Sequence, residues 1–139
     1  MTATEALLAV SAAHAGFQLV VTVVVYPALA DLTPDRWQPA HDAHSRRVTR
    51  LVAPLYAAVV AVCGWALVDG PLSAPVVVAV AGNAGALAAT ALVAGPTHGR
   101  LGREGKRPEL VRRLLLADRV RTVAAVAAAL TSVLAVASR

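Results

Sequence analysis

The 139-residue chain has few charged residues, few aromatic residues and a single cysteine, and each shortage excludes a class of protein. Only 15% of the residues are charged while 58% are hydrophobic, which is far from the balance of a soluble domain. Cys63 is the only cysteine, so a disulfide within the chain is excluded. Aromatic residues make up 4% of the chain, so its basic residues lack the aromatic partners of a base-stacking surface, and no nucleic-acid partner is expected.

Four long apolar stretches account for the hydrophobic composition. They cover about residues 6–29, 51–68, 75–95 and 118–137. A helix needs about 20 apolar residues to cross a bilayer, and only helices or closed barrels satisfy the backbone there. The sequence therefore predicts an all-α fold, an integral membrane four-helix bundle, with residues 1–139 as a single domain. The second and fourth helices should extend into polar sequence, from about His41 and about Leu110.

Proline and small residues add detail to this layout. Pro34 and Pro108, each followed by an acidic residue, predict that the second and fourth helices begin before the membrane. Pro54 predicts a bend in the second span. In the third span, small residues at four-residue spacing predict close packing against a neighbour; they are Ala81, Gly85 and Ala89.

The third connection contains glycines at positions 99, 102 and 105. No strand pattern precedes them and no Gly-Lys-Ser/Thr follows, so the segment is not a phosphate loop. It is predicted to be a flexible linker.

Basic residues predict the orientation. They lie in or beside the first and third connections, and only Arg139 lies elsewhere. The two groups are Arg36, Arg46, Arg47 and Arg50, then Arg100, Arg103, Lys106, Arg107, Arg112, Arg113, Arg119 and Arg121. Because Lys and Arg are retained on the cytoplasmic side, both connections should be cytoplasmic, with both termini and the turn at 69–74 outside. A multi-pass protein of the cell inner membrane is expected, with anionic membrane lipids as partners. No basic region or cleavage site marks the first span as a signal peptide.

Polar residues recur along one face of the first span. They are Ser11, His14, Gln18, Thr22 and Tyr26, at spacings of three or four residues. Such a stripe is costly against lipid and should point into the bundle. His14, Gln18 and Tyr26 are therefore candidate ligand-binding residues. The alternative is that these groups only bond neighbouring helices together.

Histidines mark the predicted cytoplasmic side. His41 and His44 are three residues apart on one helical face, and His98 lies on the third connection at the same membrane surface. The three should converge and could transfer protons or, alternatively, bind a metal. A third interpretation is that they bind headgroups or phosphate, or pair with Asp42 and Asp118.

Asp118 and Arg121 lie near the start of the fourth span. An ion pair between them would lower the cost of insertion. Alternatively, Arg121 binds an anionic or enolate-like substrate oxygen while Asp118 orients it.

Several short motifs carry a resemblance. They are Tyr26-Pro27, His41-x-x-His44-x-Arg46-Arg47-Val48, Pro54, Pro96-x-His98-x-x-Leu101 and Asp118-x-x-Arg121-Thr122. Together they resemble a family of short bacterial four-helix membrane proteins. That family is distantly similar to the anthrone-oxygenase-like membrane proteins of aromatic polyketide pathways. The chain departs from the latter in having Asp118 where Asn is usual, and few tryptophans near the fourth helix.

The resemblance implies an enzyme of small-molecule biosynthesis that oxidises or rearranges a hydrophobic, aromatic or polyketide-like substrate, as a cofactor-independent oxygenase or a cyclase or isomerase. The expected catalytic residues are His41, His44, His98, Asp118 and Arg121. The expected substrate-binding residues are His14, Gln18, Tyr26 and Arg47. No cofactor is expected.

Two other functions stay open. One is a membrane carrier or binding protein for a lipophilic ligand or metal ion, which would need to form a homo-oligomer. The other is a structural subunit of a membrane complex. A carrier requires polar groups from the cytoplasmic mouth to the outer surface, whereas the outer halves of helices two to four have few. The sequence therefore favours a one-sided site open to the cytoplasm.

Overall fold

A computed structural model describes residues 1–138 of the chain. It contains four long helices: α1, Ala3–Ala30; α2, Pro34–Asp69; α3, Ala74–Glu104; and α4, Pro108–Ala137. No strand occurs within residues 1–138. The predicted all-α four-helix fold is confirmed. Arg139, the one basic residue expected away from the two connections, lies outside the described residues.

All four helices are long and apolar enough to cross a membrane. Large apolar side chains point outward along them, including Leu51, Val68, Leu92 and Val123. In water such exposed patches would favour aggregation, whereas lipid is an equivalent apolar solvent for them. The length and outer surface of the helices therefore describe a multi-pass membrane protein.

Helix boundaries agree with the proline signals and correct the linker prediction. α2 begins at Pro34 and α4 at Pro108, as predicted, and α2 is helical through Pro54. The third connection is not a flexible linker, because α3 continues helically to Glu104. Arg100 pairs with Glu104 at 2.8 Å, the i,i+4 spacing that stabilises a helix. The helix ends only at Gly105, whose φ of 77° suits glycine.

α3 and α4 approach closely, but not at the residues predicted. A Cβ built on Gly82 would lie 2.8 Å from the carbonyl oxygen of Ala124, so only glycine fits there. Gly85 has open space around its Cβ position, and Ala81 is exposed. The predicted stripe of Ala81, Gly85 and Ala89 is therefore wrong as the internal packing face. The face one residue along, with Ala79, Gly82 and Ala86, packs inside the bundle.

Two π-helical turns interrupt the α-helices, and each stands immediately before a Tyr-Pro or Gly-Pro pair. Val21–Val25 precedes Tyr26-Pro27 in α1, and Thr90–Ala94 precedes Gly95-Pro96 in α3. Proline has no N–H and its ring clashes with the carbonyl four residues earlier. A wider turn relieves that clash, and π-turns are frequent at functional sites. Each π-turn here lies next to the same cavity.

Candidate functional site

A cavity of about 230 Å³ lies between α1, α2 and α3, with one side chain from α4. Its walls are mainly apolar, formed by Phe17, Val21, Val48, Val52 and Ala94. Its polar lining includes Tyr26, His44, Thr90, His98 and Arg121. The α2 wall runs from His44 to Tyr56, a rise of about 18 Å along a helix. The cavity therefore reaches from the polar end of α2 deep into its apolar part.

Three histidine rings gather at the polar end of this cavity. The ring centroid of His98 lies 5.4 Å from that of His41 and 5.7 Å from that of His44. The predicted convergence of the three is therefore seen. His41 also stacks on Trp37 at 5.3 Å, and both of these side chains are buried. His41 does not line the cavity, whereas His44 and His98 do.

A chain of hydrogen bonds leads from Arg121 to His41. Arg121 Nη2 donates to Tyr26 Oη at 3.1 Å, Tyr26 Oη lies 3.0 Å from His98 Nε2, and His98 Nδ1 lies 3.2 Å from His41 Nε2. Each of these three bonds has one donor and one acceptor if Tyr26 donates to His98 and His98 Nδ1–H donates to His41. In that arrangement His98 is neutral and already has a partner for both ring nitrogens.

Arg121 is held by a buried counter-charge. Its Nη2 donates to Asp118 Oδ1 at 2.9 Å, and Gln18 Nε2 donates to the same oxygen at 2.7 Å. Asp118 is 2% exposed and Arg121 is 6% exposed. The ion pair predicted for this segment is thus present, and it leaves the site with no net charge from these two residues. Thr90 Oγ1 accepts a longer bond, of 3.4 Å, from Arg121 Nη1.

Two buried nitrogens at the cavity have no hydrogen-bond partner among residues 1–138. They are Arg121 Nε and His44 Nε2, and both side chains line the cavity. Arg121 Nε–H is only a donor, whereas a neutral imidazole can accept at one nitrogen. Leaving such groups unsatisfied is costly unless they serve a ligand. The side chains that line the cavity thus include one unpaired donor, Arg121 Nε–H, one unpaired imidazole nitrogen, His44 Nε2, and the hydroxyl of Ser45, which also lacks a partner among residues 1–138.

A second polar network lies deeper in the bundle. His14 Nδ1 is 2.8 Å from Asn83 Oδ1, Asn83 Nδ2 donates to Ser11 Oγ at 2.8 Å, and Ser132 Oγ donates to Ser11 at 3.3 Å. Ser11 and Ser132 belong to the ends of α1 and α4 that are predicted to lie outside. Asn83 and Ser132 are thus among the few polar groups in the outer halves of helices two to four, and both are bonded into this network.

The nine predicted site residues separate into two groups. Those lining the cavity are Tyr26, His44, His98 and Arg121. Those away from its lining are His14, Gln18, His41, Arg47 and Asp118. His14 and Gln18 are fully buried, and Arg47 is exposed. The structure thus brings the aromatic and basic groups of all four helices together, but it places Arg47 on the surface.

Several polar residues of the cavity and of the second network have no counterpart among the predicted site residues, among them Tyr56, Thr90 and Asn83. Tyr56 Oη bonds Thr90 Oγ1 at 2.9 Å at the deep end of the cavity, and Asn83 joins the second network. Asn83 had a usable signal, because an amide within an apolar span needs an internal partner. Tyr56 and Thr90 had none, because their meeting depends on how α2 and α3 pack.

The metal alternative finds no support in the geometry. Although the three rings converge, residues 1–138 hold no group of three or more His, Cys, Asp or Glu side chains arranged to bind a metal ion. His41 Nδ1 lies 3.7 Å from Asp42 Oδ1, so the expected pairing with Asp42 is weak. Asp118 pairs with Arg121 instead of a histidine.

Fold and site together describe a multi-pass helical membrane protein with a mainly apolar cavity, an internal ion pair and a histidine cluster. No protein-family model matches the chain, and neither the curated proteins nor the solved structures contain a detectable relative. The resemblance to the anthrone-oxygenase-like membrane proteins accordingly stays a prediction.

Proposed function

We propose that this protein is a membrane enzyme that removes a proton from a small, neutral, hydrophobic molecule carrying a carbonyl oxygen. The observation that carries the proposal is the pair of buried nitrogens, Arg121 Nε and His44 Nε2, that lack partners within residues 1–138 and belong to side chains of one cavity. One is suited to an oxygen atom of the ligand and the other to its proton.

The charge balance supports a neutral ligand. Asp118 already compensates the guanidinium of Arg121 at 2.9 Å. A ligand with a full negative charge would therefore bring an excess charge into a low-dielectric site, which is costly. A ketone or similar neutral carbonyl needs only the unpaired Nε–H of Arg121.

The cavity volume supports a small ligand. At about 230 Å³ it is smaller than the roughly 300–1,000 Å³ of pockets for drug-sized ligands.

The proposed step conserves charge within the cavity. A proton leaves the carbon next to the carbonyl and binds His44 Nε2. The electron pair of the broken C–H bond forms a carbon–carbon double bond, and the π pair of the carbonyl moves to its oxygen. The resulting enolate oxygen accepts a stronger hydrogen bond from Arg121 Nε–H than the neutral carbonyl did. Stabilisation that grows as the reaction proceeds is what lowers its barrier. Imidazolium and enolate then remain as an ion pair in one apolar cavity.

The resemblance suggests how the enolate is used. An electron-rich enolate can react with dioxygen, or it can rearrange or cyclise, and none of these routes needs a cofactor. Biosynthesis of a secondary metabolite is the context that the resemblance implies. The basic residues support a cavity that opens to the cytoplasm, with loops one and three on that side, both termini outside and anionic lipids around the arginines.

Deuterium exchange tests the step without knowledge of the natural substrate. Purified protein in detergent would be mixed in D₂O with a panel of small cyclic and aromatic ketones, and deuterium uptake at the α-carbon would be measured by mass spectrometry. We expect uptake to be accelerated by wild type for at least one ketone and by His44→Ala about a hundredfold less. Equal uptake with both proteins would contradict the role of His44.

A carrier is the second candidate, because the second polar network extends beyond the cavity. Asn83, Ser11 and Ser132 continue the polar groups toward the predicted outer side. A carrier would bind a lipophilic ligand and show no deuterium uptake in any ketone. A structural subunit would show neither binding nor uptake.

A further inference from the structure

The polar end of the cavity is closed toward the predicted cytoplasmic side by contacts between α2 and α3. Gln38 Nε2 donates to the carbonyl oxygen of Gly102 at 2.8 Å, and His41 Nε2 lies 3.2 Å from His98 Nδ1. The His41 ring stacks on Trp37, and both side chains are buried. Neither of these two rings lines the cavity. Buried rings therefore stand between the polar end of the cavity and the water on that side.

The deep end of the cavity is also joined across α2 and α3. Tyr56 Oη bonds Thr90 Oγ1 there at 2.9 Å. Between this bond and the contact of His41 with His98, no hydrogen bond or ion pair joins α2 to α3 within residues 1–138. On α3 the interval runs from Thr90 to His98, a rise of about 12 Å along a helix. The two helices are therefore not bonded to each other over about that height.

Two residues of the cavity lining are exposed, and both lie within this interval. They are Thr49 on α2 and Gly95 on α3, whereas the lining residues of α1 and α4 are buried or half-buried. Thr49 Oγ1 donates to the carbonyl oxygen of Ser45 in its own helix, so it makes no bond across to α3. Gly95 has no side chain that would narrow the gap. The cavity therefore opens sideways, between α2 and α3.

The sideways opening lies at the edge of the hydrocarbon region. Thr49 immediately precedes the start of the second predicted span, and Gly95 is the last residue of the third. Leu51 and Leu92, close to them in sequence, are 65% and 73% exposed, which suits contact with lipid chains. We propose that the ligand enters the cavity sideways from the cytoplasmic leaflet of the membrane, through the opening between Thr49 and Gly95.

Entry from the leaflet selects a class of ligand. A molecule that takes this route must first dissolve in the membrane, which favours neutral, hydrophobic molecules and excludes water-soluble anions, because burying an unpaired charge is costly. That the entering molecule is the substrate rests on the proposed function, whereas the route rests on the contacts between α2 and α3. The cavity thus stays on the predicted cytoplasmic side but is filled from the lipid.

Cysteine labelling in lipid nanodiscs measures the route without an enzymatic assay. Val21 is 4% exposed and lines the cavity from α1, so Val21→Cys reports entry, and Cys63→Ala removes the native thiol. With rates normalised to those for glutathione, we expect N-phenylmaleimide to label this cysteine several-fold faster than a sulfonated, membrane-impermeant maleimide. Equal normalised rates, or no labelling by either reagent, would overturn the proposal.

A bulky side chain at the opening provides a second measurement. Thr49→Trp places a large ring there and should slow the labelling of Val21→Cys by N-phenylmaleimide several-fold. Leu51→Trp is the matched control, because Leu51 is exposed on α2 but does not line the cavity, and it should leave the rate unchanged. An unchanged rate in Thr49→Trp would contradict the route. Should that variant fail to fold, the comparison of the two reagents still decides the question.

The route and the enzymatic step fail separately. Labelling as expected, together with no deuterium uptake in any ketone, would refute proton removal and leave the sideways entry supported. Deuterium uptake without the expected difference between the two maleimides would support the enzyme and refute the entry from the lipid.

Discussion

Asp118 and Arg121, one turn apart on α4, form an ion pair of 2.9 Å with both side chains buried. Gln18 binds the same carboxylate oxygen from α1, and Tyr26 accepts from the same guanidinium nitrogen. The pair therefore ties α1 to α4 as well as neutralising charge. The same contacts therefore stabilise the ion pair and hold it beside the cavity.

Removing one partner of this pair should destabilise the protein. Asp118→Asn leaves the guanidinium without its counter-charge, and breaking a buried pair costs about 3–5 kcal/mol. Chemical unfolding in mixed micelles would measure the loss. Asp31→Asn, at an exposed position, is the control. Equal stability of the two variants would show that the pair is not coupled to folding.

The same pair changes what is expected of Arg121→Ala. From the sequence alone, that variant would be expected to fold normally and to lose only its ligand. With Asp118 left buried and unpaired, a loss of stability is the expected result instead. The double variant Asp118→Asn/Arg121→Gln removes both charges and should recover part of that stability.

The fold could be predicted because its signals are local. A run of about 20 apolar residues specifies a spanning helix wherever it packs, and Pro34 and Pro108 mark helix starts through their own backbone restrictions. The helical third connection was missed because the glycines at 99 and 102, each about 1 kcal/mol less favourable than alanine in a helix, argued against a helix there. There the Arg100–Glu104 pair supports the helix.

The site could be predicted only where spacing along one helix decided it. Three-residue spacing placed His41 and His44 on one face, but which of them reaches the cavity depends on how α2 packs beside α1 and α3. Only His44 lines it. The π-turns were not predicted either, although Pro27 and Pro96 are the sequence signal for them. Contacts between helices, such as Tyr56 with Thr90, have no signal in a single sequence.

Alanine substitutions at Gly82 and Gly85 test the close contact between α3 and α4. Gly82→Ala puts a methyl group 2.8 Å from the carbonyl oxygen of Ala124, so the helices must separate. Gly85→Ala meets open space and improves helix propensity. The apparent melting temperature in detergent should fall by several degrees for the first and stay level or rise for the second. The opposite order would refute this packing.

Lys106 should stabilise the segment after α1. Its Nζ donates to the carbonyl oxygens of Ala30 and Leu32, the latter at 2.6 Å, and lies 5.9 Å from the centroid of the Trp37 ring. Bonds from a charged donor contribute about 1.5–3 kcal/mol. Lys106→Met should therefore lower stability to unfolding, whereas Arg103→Met, at an exposed position, should change little. Equal stability of the two variants would show that the contacts of Lys106 do not stabilise the protein.

Orientation in the membrane can be measured with reporter fusions. Fusions after Arg47 and after Lys106 should report the cytoplasm, and a fusion at Gly70 should report the outside, because basic residues concentrate in the first and third connections. A cytoplasmic signal at Gly70 would contradict the four-span topology.

Substitutions of His44 and His41 should separate the proposed base from a residue that only supports the site. His44 lines the cavity with Nε2 lacking a partner among residues 1–138, whereas His41 stacks on Trp37 and bonds His98. His44→Ala should lower ketone deuterium exchange about a hundredfold with little change in melting temperature. His41→Ala should instead lower the melting temperature and reduce exchange less, since it acts through His98. Exchange rates and melting curves of both variants, measured in the same detergent, would separate the two roles. A larger loss of exchange in His41→Ala than in His44→Ala would show that the base is not His44.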